Sequence, residues 1–173
     1  SLRQDIELLE DRLLPSLLLG VGGRRVVRFD DAAGHRLVLR LQGPGSGRVT
    51  LAGDARGHAD IETLTLTGTN QKSRLLLKIE GDDGPSLSGF IDVGAGGLGK
   101  LEVGGVLSAV LRSQGPIGYL HATRIENATL SSAVGFRRVS VDGSLVGSTI
   151  LAGLDTVDGV LCNGNDVLGT GTI

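Results

Sequence analysis

Two periods of apolar spacing divide the chain. Leu2, Ile6, Leu9 and Leu13 recur at intervals of four, three and four, the spacing of one face of an α-helix. Pro15 follows and lacks the amide that a continuing helix needs, so the pattern predicts a short amphipathic helix over residues 2 to 14. From Arg24 the period becomes two. The stretches "RRVVRFD", "HRLVLRL" with Leu37, Leu39 and Leu41 alternating, and "RVTLAG" read as strands, and "DDAAG" and "QGPGSG" between them read as turns. The expectation is an N-terminal segment over 1 to 20, then an antiparallel β-meander over 21 to 60.

Beyond residue 60 the alternation repeats. "LGKLEVGGVLSAVLRSQGP" from 98, "IGYLHATRIENATLSSAVG" from 117, "FRRVSVDGSLVGSTILAGLDT" from 136 and "VDGVLCNGNDVLGTGTI" from 157 start 19, 19 and 21 residues apart. Three apolar columns align: Leu98, Ile117, Phe136 and Val157; Leu101, Leu120, Val139 and Val160; Val103, Ala122, Val141 and Cys162. A weaker copy begins at Ile61 with Leu64, Leu66 and Gly68 and returns at "LSGFIDVGAGG", with "NQKSRLLLKIEGDDGP" as an inserted excursion. A unit this short cannot bury its own apolar face, so copies must stack. An extended repeat of this length wraps once around a narrow core, sending the columns inward and the residues between them outward. The predicted fold is therefore all-β: a short parallel β-solenoid over 61 to 173, with coils starting near 61, 98, 117, 136 and 157, preceded by the meander and the helix.

Composition agrees with this. The 173 residues include 29 glycines, no Met or Trp, one Tyr and three Phe, so the core is aliphatic and the turns are many. A net charge of -2 gives no overall attraction to nucleic acid or an acidic membrane surface. No apolar run reaches the roughly 18 residues of a membrane-spanning helix. "LLPSLLLGVGG" at 13 to 23 is apolar like the middle of a signal peptide, but its upstream flank "RQDIELLEDR" is acidic. The start at Ser1 and the lack of methionine lead us to expect a processed product or a piece of a longer chain.

Chemistry would have to sit on the outward columns. One reads Lys100, Tyr119, Arg138 and Gly159, the next Glu102, His121, Ser140 and Leu161. At about 4.8 Å between coils these groups form one patch, on which a Tyr and two cations would stack on sugar rings and pair with carboxylates of an acidic polysaccharide. Lys100, Tyr119, Arg138, Glu102 and His121 are accordingly the candidate ligand-binding residues. The enzyme alternative is a polyuronate lyase, which needs acidic calcium ligands beside a basic residue. Asp142 is flanked in its column by Thr123 and Asn163, and Asp158 by Arg137, so no carboxylate cluster forms. We therefore expect no enzyme, no catalytic residues, no metal and no cofactor.

Other features read as structure. Asp30-Asp31 caps its own turn amides in preference to binding calcium. Cys162 fills an apolar column, and His35, His58 and His121 lack metal-ligand spacing. "GVGG" at 20 to 23 and "GAGGLG" at 94 to 99 are turns with no following Lys-Ser or Lys-Thr of a phosphate loop. Asn127, Asn163 and Asn165 suit solenoid corners, and the threonines of "TLTLTGT" at 63 to 69 are not sustained as a Thr-x-Thr face.

"LEDRLLP" at 9 to 15 resembles the LEPR-XLL-type N-terminal motif of large exported and surface proteins of planctomycete-type bacteria. "VDGSLVGSTILAG" and "LGKLEVGG" resemble the glycine-rich stacked repeats that follow it in those proteins. Leu9, Glu10, Arg12 and Leu14 match the motif; Asp11 stands where proline is often found, and Pro15 replaces the final leucine. The resemblance implies an extracellular or cell-surface location and no particular chemistry. The expected role is a non-enzymatic structural or adhesive module. A carbohydrate-binding or polysaccharide-processing solenoid is the alternative. A self-assembling filament subunit is the third reading, because "VLGTGTI" ends in mid-coil without a polar cap and invites self-association. The partners this predicts are cell-surface polysaccharide or a second copy, with no nucleic acid and no integral membrane segment.

Overall fold

The computed structural model describes residues 16–31, 33–53, 59–80, 86–155 and 167–168. No helix occurs among them. The strands run β1 (Ser16–Leu19), β2 (Val26–Asp30), β3 (Arg36–Gln42), β4 (Ser46–Gly53), β5 (Ala59–Thr67), β6 (Arg74–Glu80), β7 (Ser86–Leu87), β8 (Phe90–Val93) and β9 (Leu98–Leu107). They continue as β10 (Val110–Ser113), β11 (Ile117–Glu126), β12 (Thr129–Ser132), β13 (Val139–Val141), β14 (Leu145–Val146), β15 (Thr149–Ala152), β16 (Leu154–Asp155) and β17 (Val167–Leu168). The helix expected over 2 to 14, His58, and the coil expected from 157 with Cys162, Asn163 and Asn165 lie outside the described residues, as do most of the positions after Asp155.

The chain builds a β-solenoid of about three turns. Its first wall is β6, β9, β11 and β13 in parallel, and its second is β5, β8, β10, β12 and β15 in parallel. Short strands β7 and β14 pair with the far ends of β9 and β11 and turn the chain between walls. The predicted columns are register partners: Leu98 with Ile117 and, by an isolated bridge, Phe136; Leu101 with Leu120 and Val139; Val103 with Ala122 and Val141. Opposite them Ile91, Leu111 and Leu130 line the second wall, all fully buried. Branched and γ-branched side chains suit such a core because they fill a pleated interior with few rotamers to lose.

Both walls continue into antiparallel strands at the N-terminal end. β2 and β3 add to β6, and β1 and β4 add to β5. The three strands expected to form one meander are therefore split. β2 and β3 make the hairpin, but β4 belongs to the opposite sheet. The "QGPGSG" turn sends it there: Pro44 lacks the amide a tight hairpin would use, Arg25 Nη1 donates to the carbonyls of Gly43 and Gly45 at 2.8 and 3.3 Å, and Ser73 Oγ donates to the Pro44 carbonyl at 2.7 Å. The turn thus lies against the 67–73 corner and acts as a further coil corner. Antiparallel strands laid on β5 and β6 also pair the backbone edges that the first coil would otherwise leave open.

Two boundaries move. Residues 16–19, grouped with the N-terminal segment, form strand β1, whose Leu19 is fully buried in the common core. The copy expected at Ile61 is one wall out of phase: Leu64 and Leu66 of β5 pair with Ile91 and Val93 in the second wall. The supposed excursion supplies the missing first-wall strand, since Leu75 and Leu77 of β6 pair with Leu101 and Val103. Both walls share the two-residue period, so alternation alone does not tell them apart.

Candidate functional site

Alternation on the first wall puts every second side chain outward, and stacking brings those side chains into register. Tyr119 pairs with Lys100, and His121 with Glu102 and Ser140. Arg138 stands beside Tyr119 on the next coil, where its carbonyl accepts the Leu120 amide at 2.9 Å. Lys100, Tyr119, Arg138, Glu102 and His121 are therefore brought together, in the columns expected. The row extends further than expected, because Arg74 of β6 pairs with Lys100 and Gln42 of β3 pairs with Arg74. Sequence reasoning missed Arg74: the three consecutive leucines of "RLLLKIE" blur the alternation that would have marked β6 as a wall.

The side chains interlock. Lys100 Nζ lies 5.5 Å from the Tyr119 ring centroid and Arg138 Cζ lies 5.3 Å from it, both within cation–π range. The His121 ring stacks at 6.0 Å centroid separation and 13° from the Tyr119 plane. Lys100 Nζ also sits 2.6 Å from Glu102 Oε2. That ammonium holds the Glu102 carboxyl below its ordinary range against the opposing effect of burial, with His121 and Lys78 adding to the pull. His121 Nε2 lies 3.0 Å from Asp142 Oδ1. Asp142 was expected to be isolated in its own column, and the diagonal reach of a side chain between neighbouring strands brings it to His121.

This geometry changes what Tyr119 can do. Two cations and an imidazole already surround its ring, so a sugar would have to displace one of them to stack there. The ring instead acts as a spacer that holds Lys100 and Arg138 on either side. An open groove of about 510 Å³ runs beside it, lined by Gln71, Gly99, Gly118, Tyr119, Arg137 and Arg138.

Other candidate features resolve as structure. Asp31 is buried, and its Oδ1 accepts the amides of Ala33 and His35 at 2.9 and 2.8 Å while Oδ2 meets His35 Nδ1 at 3.0 Å. It caps its own turn, as the residue order predicts. Asn127, with φ 51°, turns a corner, and both glycine-rich stretches are turns, closed by Arg24 N to Val21 O at 3.1 Å and Gly97 N to Gly94 O at 3.0 Å. Among the described residues no group of three or more His, Cys, Asp or Glu is placed to hold a metal ion, and no helix is long and apolar enough to cross a membrane.

No protein-family model matches this chain, and no curated protein or solved structure shows significant similarity to it.

Proposed function

We propose that this chain is a structural or adhesive module of a secreted or cell-surface protein, acting by presenting a rigid surface and not by turning over a substrate. The observation that carries the reading is the Lys100–Tyr119–Arg138 row, in which stacked coils hold two cations on either side of an aromatic ring. Neighbouring side chains pair with one another around it, as Lys100 with Glu102 and His121 with Asp142. That suits a preorganised contact surface better than a reactive centre. The likeness of "LEDRLLP" to the motif of exported planctomycete-type repeat proteins belongs to the same proposal, as does a helix over 2 to 14 ahead of the antiparallel strands.

The row also favours carbohydrate as the contacted material, since its groups match the carboxylates and hydroxyls of a glycan. The test is binding of the purified chain to a panel of neutral and acidic polysaccharides, with and without calcium. The control is the Lys100→Ala/Tyr119→Ala/Arg138→Ala variant. Saturable binding that the variant loses supports an adhesive module working through this row. Release of unsaturated sugar ends from a polyuronate would overturn the non-enzymatic reading, and sedimentation to large species without glycan binding would replace it with self-assembly.

A further inference from the structure

We propose that the first wall holds a linear anionic polysaccharide, of the polyuronate class, lying along the solenoid axis from Arg74 to Arg138; this rests on the adhesive reading above. The argument starts from which charges are neutralised. Lys100 is shared between Glu102 and the Tyr119 ring. Arg74, Arg137 and Arg138 are exposed and take part in none of the ion pairs found among the described residues. Arg74 and Arg138 mark the two ends of one row, three strand steps or roughly 14 Å apart, and Arg137 stands one column over from Arg138. The row runs perpendicular to the strands, so a ligand that meets both ends must be extended along the axis.

A trough runs beside that row, parallel to it, from Gln71 across Gly99 and Gly118 to Arg137 and Arg138. Its floor is Gly99 and Gly118, and a methyl group on Gly99 would collide with the Gln71 carbonyl oxygen. The floor is therefore backbone, with Arg137, Arg138 and Tyr119 rising beside it. Gln71 Nε2 donates to the Pro116 carbonyl at 2.8 Å, which leaves Oε1 over Gly118, 3.1 Å from where a Cβ on that glycine would stand. That oxygen is an acceptor positioned for a hydroxyl. Guanidinium groups at the ends and a hydroxyl acceptor between them describe a polyhydroxylated chain with repeated carboxylates.

A single-stranded nucleic acid fits less well. Its binding relies on aromatic faces open to bases, whereas Tyr119 is flanked by Lys100 and Arg138 and stacked against His121. Carboxylates on a sugar chain need no such face. One monosaccharide in an extended chain spans close to one strand spacing, so about four residues cover the row.

The experiment is calorimetric titration of the full chain with oligogalacturonates of two to six residues. Neutral maltohexaose and an oligothymidylate of matched charge are the comparison ligands. Affinity should rise with length and level off near about four residues. Arg138→Gln should weaken the tetramer roughly tenfold, the effect of losing one charge-assisted contact. Arg74→Gln should do the same for the tetramer and leave the dimer unchanged. Arg48→Gln, an exposed arginine on β4 of the other sheet, should change neither. Equal affinity for the oligothymidylate, or a tetramer indifferent to Arg74 and Arg138, would overturn the proposal. Binding of maltohexaose unaffected by either substitution would overturn it while leaving the adhesive reading in place. No binding of any glycan by the unaltered chain, here or in the polysaccharide panel, would overturn both.

Discussion

The imidazole Nε2 of His121 sits 3.0 Å from Oδ1 of Asp142, joining two coils of the first wall outside the core. Asp142 is well exposed, with its side chain 60% accessible, and solvent screens such pairs to about 0.2–1 kcal/mol. A double-mutant cycle of His121→Gln and Asp142→Asn, followed by urea unfolding, should return a coupling within that range.

Asp31 is a stronger case, because it is buried and accepts three hydrogen bonds. Burial pushes its carboxyl upward, and the bonds from the His35 amide and ring and the Ala33 amide pull harder, so it ends below the ordinary value of 3.8. A carboxyl lowered in the folded state contributes stability above its unfolded value and loses it as pH falls through the folded one. Asp31→Asn should cost about 1–3 kcal/mol near neutral pH. Unfolding measured from pH 7 to pH 2 should show that difference shrinking only below about pH 4.

Burial falls toward the last described coil. Leu101 is fully enclosed, whereas Val139 in the same column is partly buried. Leu101→Ala should cost about 2–5 kcal/mol through lost transfer energy and the cavity left behind. Val139→Ala should cost clearly less in the same denaturation assay.

Two glycines separate conformational strain from crowding. Gly34 and Gly97 both have positive φ, at 86° and 70°. A Cβ on Gly34 meets nothing within 4 Å, whereas one on Gly97 collides with the Pro116 carbonyl oxygen. Gly34→Ala should cost about 1–2 kcal/mol from the left-handed backbone alone. Gly97→Ala should cost more in a thermal melt, because the corner must also shift.

Much of the wall was legible because stacked coils place equivalent positions side by side. Once Leu101, Leu120 and Val139 were aligned, the neighbourhood of Lys100, Tyr119 and Arg138 followed without coordinates. At Ile61 the columns give no such guide, since β5 and β6 alternate with the same period and only pairing shows which wall each joins. The spacing of residues around Arg74 therefore does not mark it as part of the first wall. Asp142 escaped for a different reason: column logic compares positions directly across strands, and its contact with His121 is diagonal.

The residue pattern by itself determined the strand-rich repeat, its coil length and which side chains face out, because a two-residue period and a repeated length are properties of the chain. The tertiary structure decided that β4 leaves β3 for the opposite sheet, that β6 completes the first wall, and that Tyr119 stands between Lys100 and Arg138 with an imidazole stacked against it. Each of these depends on which backbone edges meet and how far side chains reach across them, and neither is encoded in the spacing of residues along one strand.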